Sequence, residues 1–212
     1  MPDRITLTRP HARLASPLTL SARIAPPMPL TARILGVQGP PGPAGTGLGT
    51  IDYTDLDAAD LGPDGSVTSG VAVPLPAGEW VRVVRRLAPS DSNRNLPRGP
   101  FADFVFWDGT RLRARARGDV LLFKLAYRVT SALRGATIRF AVRPGDDPAF
   151  DFGPQPITLG ADAGAVETGS ETFVTQCRAR FVDLGAGIFV LSSSGGQLLS
   201  LSPEITPLDA AP

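Results

Sequence analysis

The sequence predicts an all-β protein: a trimeric jelly-roll or β-sandwich domain, preceded by an extended N-terminal arm and a short collagen-like segment. Three observations predict it. In the C-terminal two thirds, apolar residues recur with period two in many short runs. Gly/Pro/Asp clusters such as Arg143-Pro144-Gly145-Asp146-Asp147-Pro148 and Ser194-Gly195-Gly196 separate many of these runs. Ahead of them glycine returns at every third position, at Gly36, Gly39, Gly42 and Gly45, with Pro40-Pro41 and Pro43-Ala44 filling two triplets. With 212 residues, one sizeable domain with appendages is expected. The order is an arm over 1–35, a collagen-like stalk over 36–50, an acidic neck over 51–68 and a β domain over 69–212.

The arm carries a ten-residue repeat. Arg13-Leu14, Arg23-Ile24 and Arg33-Ile34 each follow an alanine and a His, Ser or Thr. Prolines at Pro10, Pro17, Pro26, Pro27 and Pro29 exclude a long helix, and alternations such as Ile5-Thr6-Leu7-Thr8 favour short extended pieces. Such a segment buries no core of its own. It reads as an anchoring arm whose repeated units dock on repeated sites of a partner, backbone pairing supplying affinity and side chains specificity. A disordered basic tail is the competing reading. The arm holds five arginines and, beyond Asp3, no acid. Without aromatic residues or clustering this is a weak footprint for nucleic acid, and none is expected as a partner.

Only glycine fits at the crowded axis of three polyproline-like strands, so the triplets read as a collagen-type triple helix and imply three chains side by side. The alternative is a flexible Pro/Gly linker. At ~3 Å per residue the stretch spans roughly 30 Å, too little to hold a trimer alone. The neck, Asp52 to Gly65, carries five aspartates among turn residues and is expected as a surface loop. It lacks the glycine and distal glutamate of a calcium loop, so a solvated stretch is expected and no metal.

In the β domain the cleanest alternation is Thr110 to Arg117, where Leu112, Ala114 and Ala116 interleave with Arg111, Arg113, Arg115 and Arg117. A strand there would line four guanidinium groups along one face at nearly 7 Å spacing. They are the candidate ligand-binding residues, suited to an anionic polymer. The same row also fits pairing with acids, or plain solvation. Leu121, Phe123, Leu125, Tyr127 and Val129 share a face in Val120–Val129, as do Ala136, Ile138, Phe140 and Val142, and Phe173, Cys177, Ala179 and Phe181 in Glu171–Val182. Further strands are expected over 70–75, 80–87, 101–107, 188–192 and 197–202. No long helix is expected.

Chemistry is sparse. His11 is the only histidine and lies in the arm, which removes Ser-His-Asp and Cys-His catalysis from the body. Cys177, the only cysteine, reads as a buried apolar residue. No phosphate-binding glycine loop is present, and no cofactor is expected. Asp146, Asp147 and Asp151 are the carboxylates from which a glycan-cleaving pair would be drawn, but a solvated hairpin tip has the same composition. No enzyme activity is expected. Trp80, Trp107 and Tyr127 would stack on sugar rings or fill the core. The start lacks the apolar core of a signal peptide, and no apolar run approaches ~20 residues; a soluble chain made in the cytoplasm, without membrane insertion, is expected.

A collagen-like segment running directly into a β-sandwich resembles the trimeric jelly rolls of the complement globular-head and tumour-necrosis-factor-like group. The final hairpin, Phe189–Ser192 through Leu198–Ser202, looks like the last strands of such a head. The whole layout more closely resembles a bacteriophage fibre or head spike, in which a virion-binding N-terminus, a short G-P-P-G stalk and a β-rich tip follow one another. That resemblance implies a homotrimer on the virion surface, attached through residues 1–35 to a capsid or tail protein. Its tip would bind a host-surface component such as a glycan. A decoration protein with no ligand is the other expectation it leaves standing, and a glycan depolymerase a remoter one.

Overall fold

A computed structural model describes residues 47–64, 66–153 and 155–212. The arm repeats and the glycine triplets Gly36 to Gly45 lie outside the described residues. The strands are β1 Ile51–Asp55, β2 Asp60–Leu61, β3 Val67–Ser69, β4 Val73–Leu75, β5 Trp80–Val83, β6 Leu87–Pro89, β7 Val120–Ser131, β8 Thr137–Pro144, β9 Ile157–Thr158, β10 Val166–Gln176, β11 Ala186–Ser192 and β12 Gly196–Asp209. They form an antiparallel β-sandwich, the all-β class the sequence predicts. One sheet runs β10-β7-β12-β1-β6, with β4 also on β12; the other runs β5-β11-β8-β9, and β2-β3 is a separate small hairpin.

Period two explains the core. Along β7 every second residue is buried, from Leu121 through Phe123, Leu125, Tyr127 and Val129 to Ser131. Ile138, Phe140 and Val142 of β8 and Ile188 and Val190 of β11 face them from the other sheet. The rings of Tyr127 and Phe140 meet across the interior at 5.0 Å between centroids. Each fully buried Phe or Leu here contributes on the order of 2 kcal/mol.

Several expected elements differ. The stretch 101–107 is a 3-10 turn, Gly99–Phe101, followed by a loop, because Phe101, Phe104 and Phe106 pack on one another instead of alternating between two faces. The segment 110–117 keeps its alternation, with Leu112 and Ala114 buried, but is not a strand. Only Leu112 finds ladder partners, exchanging both backbone hydrogen bonds with Ala186 at 2.9 Å. The run 171–182 stops as a strand at Gln176. Phe173, Cys177 and Phe181 do reach one core, but Phe181 does so from a six-residue helix, α1 Ala179–Leu184. The acidic neck placed at 51–68 is not separate from the domain: Ile51 and Tyr53 are core residues of β1.

β12 runs to Asp209 through Pro203 and Pro207, which would ordinarily demote a strand to an edge. Leu201 turns its N–H away from β7, toward Asp55. By period two, Pro203 and Pro207 also place their missing donor on that side, where β1 pairs only at Ile51 and Asp52. The long β7 ladder loses nothing. At the start of β12, Gly196 has φ +138° and a Cβ there would run into the Thr130 carbonyl, so the tight β11–β12 connection requires glycine.

A bulge at Leu199 shifts the register of β12 against β7. It puts Leu198 before it, and Leu201 and Ile205 after it, into the same core. A buried ion pair grips both sides of this bulge. Asp55 Oδ2 accepts the Leu201 N–H at 2.9 Å, while Arg85 Nη2 donates to the Leu198 carbonyl at 3.0 Å. The two side chains are 3.4 Å apart and almost wholly buried. Arg85 also donates to the carbonyls of Asp57 and Val71, fastening the β2–β3 excursion. Burial pushes the Asp55 carboxyl up from its ordinary range, against the Leu201 N–H, Arg85 and the Asp57 N–H, which pull it down. Arg85→Ala leaves that carboxyl buried without its cation. Urea unfolding is expected to show a loss of about 3–5 kcal/mol, whereas a loss below ~1 kcal/mol would show that the pair does not hold the bulge.

Candidate functional site

The sequence places two glycines, three aspartates and two phenylalanines in the connection after β8, and the fold spreads the aspartates over two surfaces. Gly145 and Asp146 both take positive φ, 66° and 61°, turning the chain back at the end of β8. Asp147 then caps the 3-10 turn Pro148–Phe150 by accepting the Ala149 N–H at 3.0 Å. Phe152 rejoins the sheet beside β8, exchanging backbone hydrogen bonds with Val142 at 2.7 and 3.0 Å.

One surface is a cleft of about 410 Å³ between this connection, the end of β10 and α1, lined among others by Phe150, Asp151, Phe152, Gln176, Arg178 and Arg180. That volume lies within the ordinary range for small-ligand sites. Arg180 donates to Asp147 Oδ2 at 2.8 Å and to the Pro144 carbonyl at 3.1 Å, and its guanidinium lies 4.7 Å from the centre of the Phe150 ring. Phe150 is 52% exposed. Arg178 is exposed.

The second surface is the outer face of the β5-β11-β8-β9 sheet. Arg143 lies between Trp80, 4.2 Å away, and Phe189, 4.6 Å away. Register brings them together: Arg143 faces Gly187 across β8–β11, and Arg82 faces Phe189 across β5–β11. Asp151 joins the two surfaces, lying 3.6 Å from Arg143 and 3.9 Å from Arg139. Asp146 receives Arg111 and lies 3.4 Å from Arg82. The three aspartates that could have formed a cleaving pair are therefore each turned to arginines.

The arginine row is not a line of free guanidinium groups. Arg111 meets Asp146, Arg113 meets Asp108 at 2.9 Å, Arg115 meets Asp119 at 2.7 Å and Arg117 comes within 3.8 Å of Asp183. The pairs differ in depth. Asp119 is fully buried and also accepts the N–H groups of Ala116 and Ala211, whereas Arg117 and Asp183 are both exposed.

Trp107 and Tyr127 are buried in the core, and Trp80 alone of the three singled-out aromatics is on the surface. Burial, with Asp119 adding to it, pushes the Cys177 thiol up to about 12. A second, shallower groove of about 300 Å³ on the larger sheet is lined by residues including Asp52, Lys124 and Glu204, the last two 2.9 Å apart. Among the described residues no group of His, Cys, Asp or Glu is placed to hold a metal ion, and no helix is long and apolar enough to cross a membrane. The anchoring residues Arg13, Leu14, Arg23, Ile24, Arg33 and Ile34 lie outside the described residues. Sequence reasoning missed the cleft and the Trp80–Arg143–Phe189 stack. The one available signal was Arg143 itself, an arginine in an otherwise apolar stretch of β8.

No family model matches the chain, and no curated protein matches it. Among solved structures it is similar to the Eiger TNF from S. frugiperda, at 8% identity over 78% of this chain and 96% of that one, TM-score 0.44. It is also similar to the PRD1 vertex protein P5, at 8% identity over 78% and 100%, TM-score 0.42. A xylan-binding module, CBM15, is similar at 14% identity over 66% and 99%, TM-score 0.35. None of these assigns the chain to a family.

Two measurements test the ion-pair and thiol assignments. Arg115→Ala is expected to cost about 2–4 kcal/mol by stranding Asp119, while Arg117→Ala stays within about 0.5 kcal/mol of the parent; equal losses would contradict the difference in depth. A thiol held near 12 stays protonated throughout the neutral range. Cys177 should therefore resist iodoacetamide in the native protein and react readily in guanidinium chloride.

Proposed function

We propose that the chain is a non-enzymatic virion surface protein, a homotrimeric fibre or spike. Residues 1–35 attach it to a capsid or tail protein, the glycine triplets gather three copies, and the β-sandwich projects outward to bind a host-surface glycan. The observation that carries this reading is the order of parts. A repeat-bearing arm and a collagen-type register stand immediately before a β-sandwich with a mixed polar and aromatic cleft. Three weak cleft sites on one axis act together and raise avidity without new contacts at each site. The surface carboxylates support the absence of hydrolysis: Asp146, Asp147 and Asp151 each already hold arginine.

A second reading, a decoration protein with no ligand, is favoured by one observation. All four arginines of the candidate row pair with acids of their own chain. Binding of the full-length protein to host cells separates the two.

Deleting residues 1–35 tests the attachment. The truncated chain is expected to remain folded by circular dichroism and to be missing from purified particles. Normal incorporation of the truncated chain would refute the anchoring role.

A further inference from the structure

Two arginines, Arg178 and Arg180, line the cleft together with one carboxylate, Asp151. Arg139 and Arg143 converge on Asp151, and Arg180 holds Asp147. Of the two arginines that line the cleft, Arg178 is the one with no carboxylate partner among the described residues. With Asp151 turned to Arg143 and Arg139, and Asp147 to Arg180, the guanidinium of Arg178 is the charge on this concave wall that no acid among the described residues matches, and a concave wall attracts an anion more strongly than a flat surface would. A planar guanidinium matches a carboxylate in a two-pronged hydrogen bond, which favours that anion at Arg178.

The rest of the wall is not built for a bare anion. Phe150 is a half-exposed ring with the Arg180 guanidinium over one face, and its exposed part offers apolar contact area to a ligand. Thr175 and Gln176 also line the cleft, and both can donate to and accept from hydroxyl groups. A volume of about 410 Å³ exceeds what one inorganic ion fills. Nucleic acid would call for a row of unpaired cations along a backbone path, and the row Arg111 to Arg117 is paired.

We propose that this cleft binds an acidic saccharide, with a sugar carboxylate on Arg178 and the sugar ring against Phe150. The proposal rests on the carbohydrate-binding reading above and narrows it to a charged sugar.

The test is isothermal titration of the full-length protein with 3′-sialyllactose, lactose and sodium phosphate at low and high salt, alongside cell binding. Arg178→Glu and Phe150→Ala are the variants, both at exposed side chains whose replacement leaves the core intact. Sialyllactose is expected to bind at least tenfold more tightly than lactose, and more weakly as salt rises. Arg178→Glu should lower its affinity at least tenfold, and Phe150→Ala should weaken both sugars. Equal binding of sialyllactose and lactose, or sialyllactose binding unchanged in Arg178→Glu, overturns the acidic-sugar assignment and leaves glycan binding standing. Phosphate binding as tightly as sialyllactose makes the cleft a general anion site and likewise overturns the assignment. If neither sugar binds and cells are not bound, the assignment and the glycan reading fail together.

Discussion

The buried Asp55–Arg85 pair is the interaction on which the rest of the sandwich depends. β12 pairs with three strands, β7, β1 and β4, more partners than any other described strand has, and it carries a bulge in its first half. A one-residue shift in a strand turns every later side chain to the opposite face. Here the shift is useful only because it is fixed, so that Leu198, Leu201 and Ile205 all enter one core. Arg85 holds the carbonyl before the bulge and Asp55 the N–H two residues after it. Charges so deeply buried are seldom a large net gain in stability over apolar residues of the same size, but losing one member is costly. The pair is best understood as setting register.

Much of the fold was legible because its signals are local. β7 and β8 are strands by period two alone, and their inward residues are those that the alternation picks out. The alternation of Leu112 and Ala114 with arginines was also real, but burial on one face does not make a strand when bridge pairing is confined to a single residue, Leu112. α1 was illegible for a related reason: Phe173, Cys177 and Phe181 sit at spacings of four, which fit a strand face and a helix turn equally well. β12 beyond Ser202 was hidden by two prolines whose missing donors happen to fall on the side with little ladder. The surface stack left only Arg143 as a trace in the sequence, since Trp80, Arg143 and Phe189 come from β5, β8 and β11 and meet only through register.

Electrostatics then organises the surface. Arginines are plentiful, and most of those near the candidate site are tied to aspartates within hydrogen-bonding or near-contact distance, often beside an aromatic ring. This explains how a chain with formal net charge of only +1 can carry an arginine-rich outer face. Pairing also reassigns interest from the row Arg111 to Arg117, which supports the fold, to the cleft beside α1. There Arg178, at the start of α1, has no acid partner among the described residues.

The proposed assembly has three chains gathered by the glycine triplets, each carrying one such cleft. Three triplets are too short to hold such an assembly alone, so the proposal has the sandwich and the arm's partner share that task. Sedimentation equilibrium of the full-length protein at micromolar concentration tests this most directly. A homotrimer gives a single species at three times the 22.2 kDa chain mass. A species at the mass of one chain across the concentration range would contradict it.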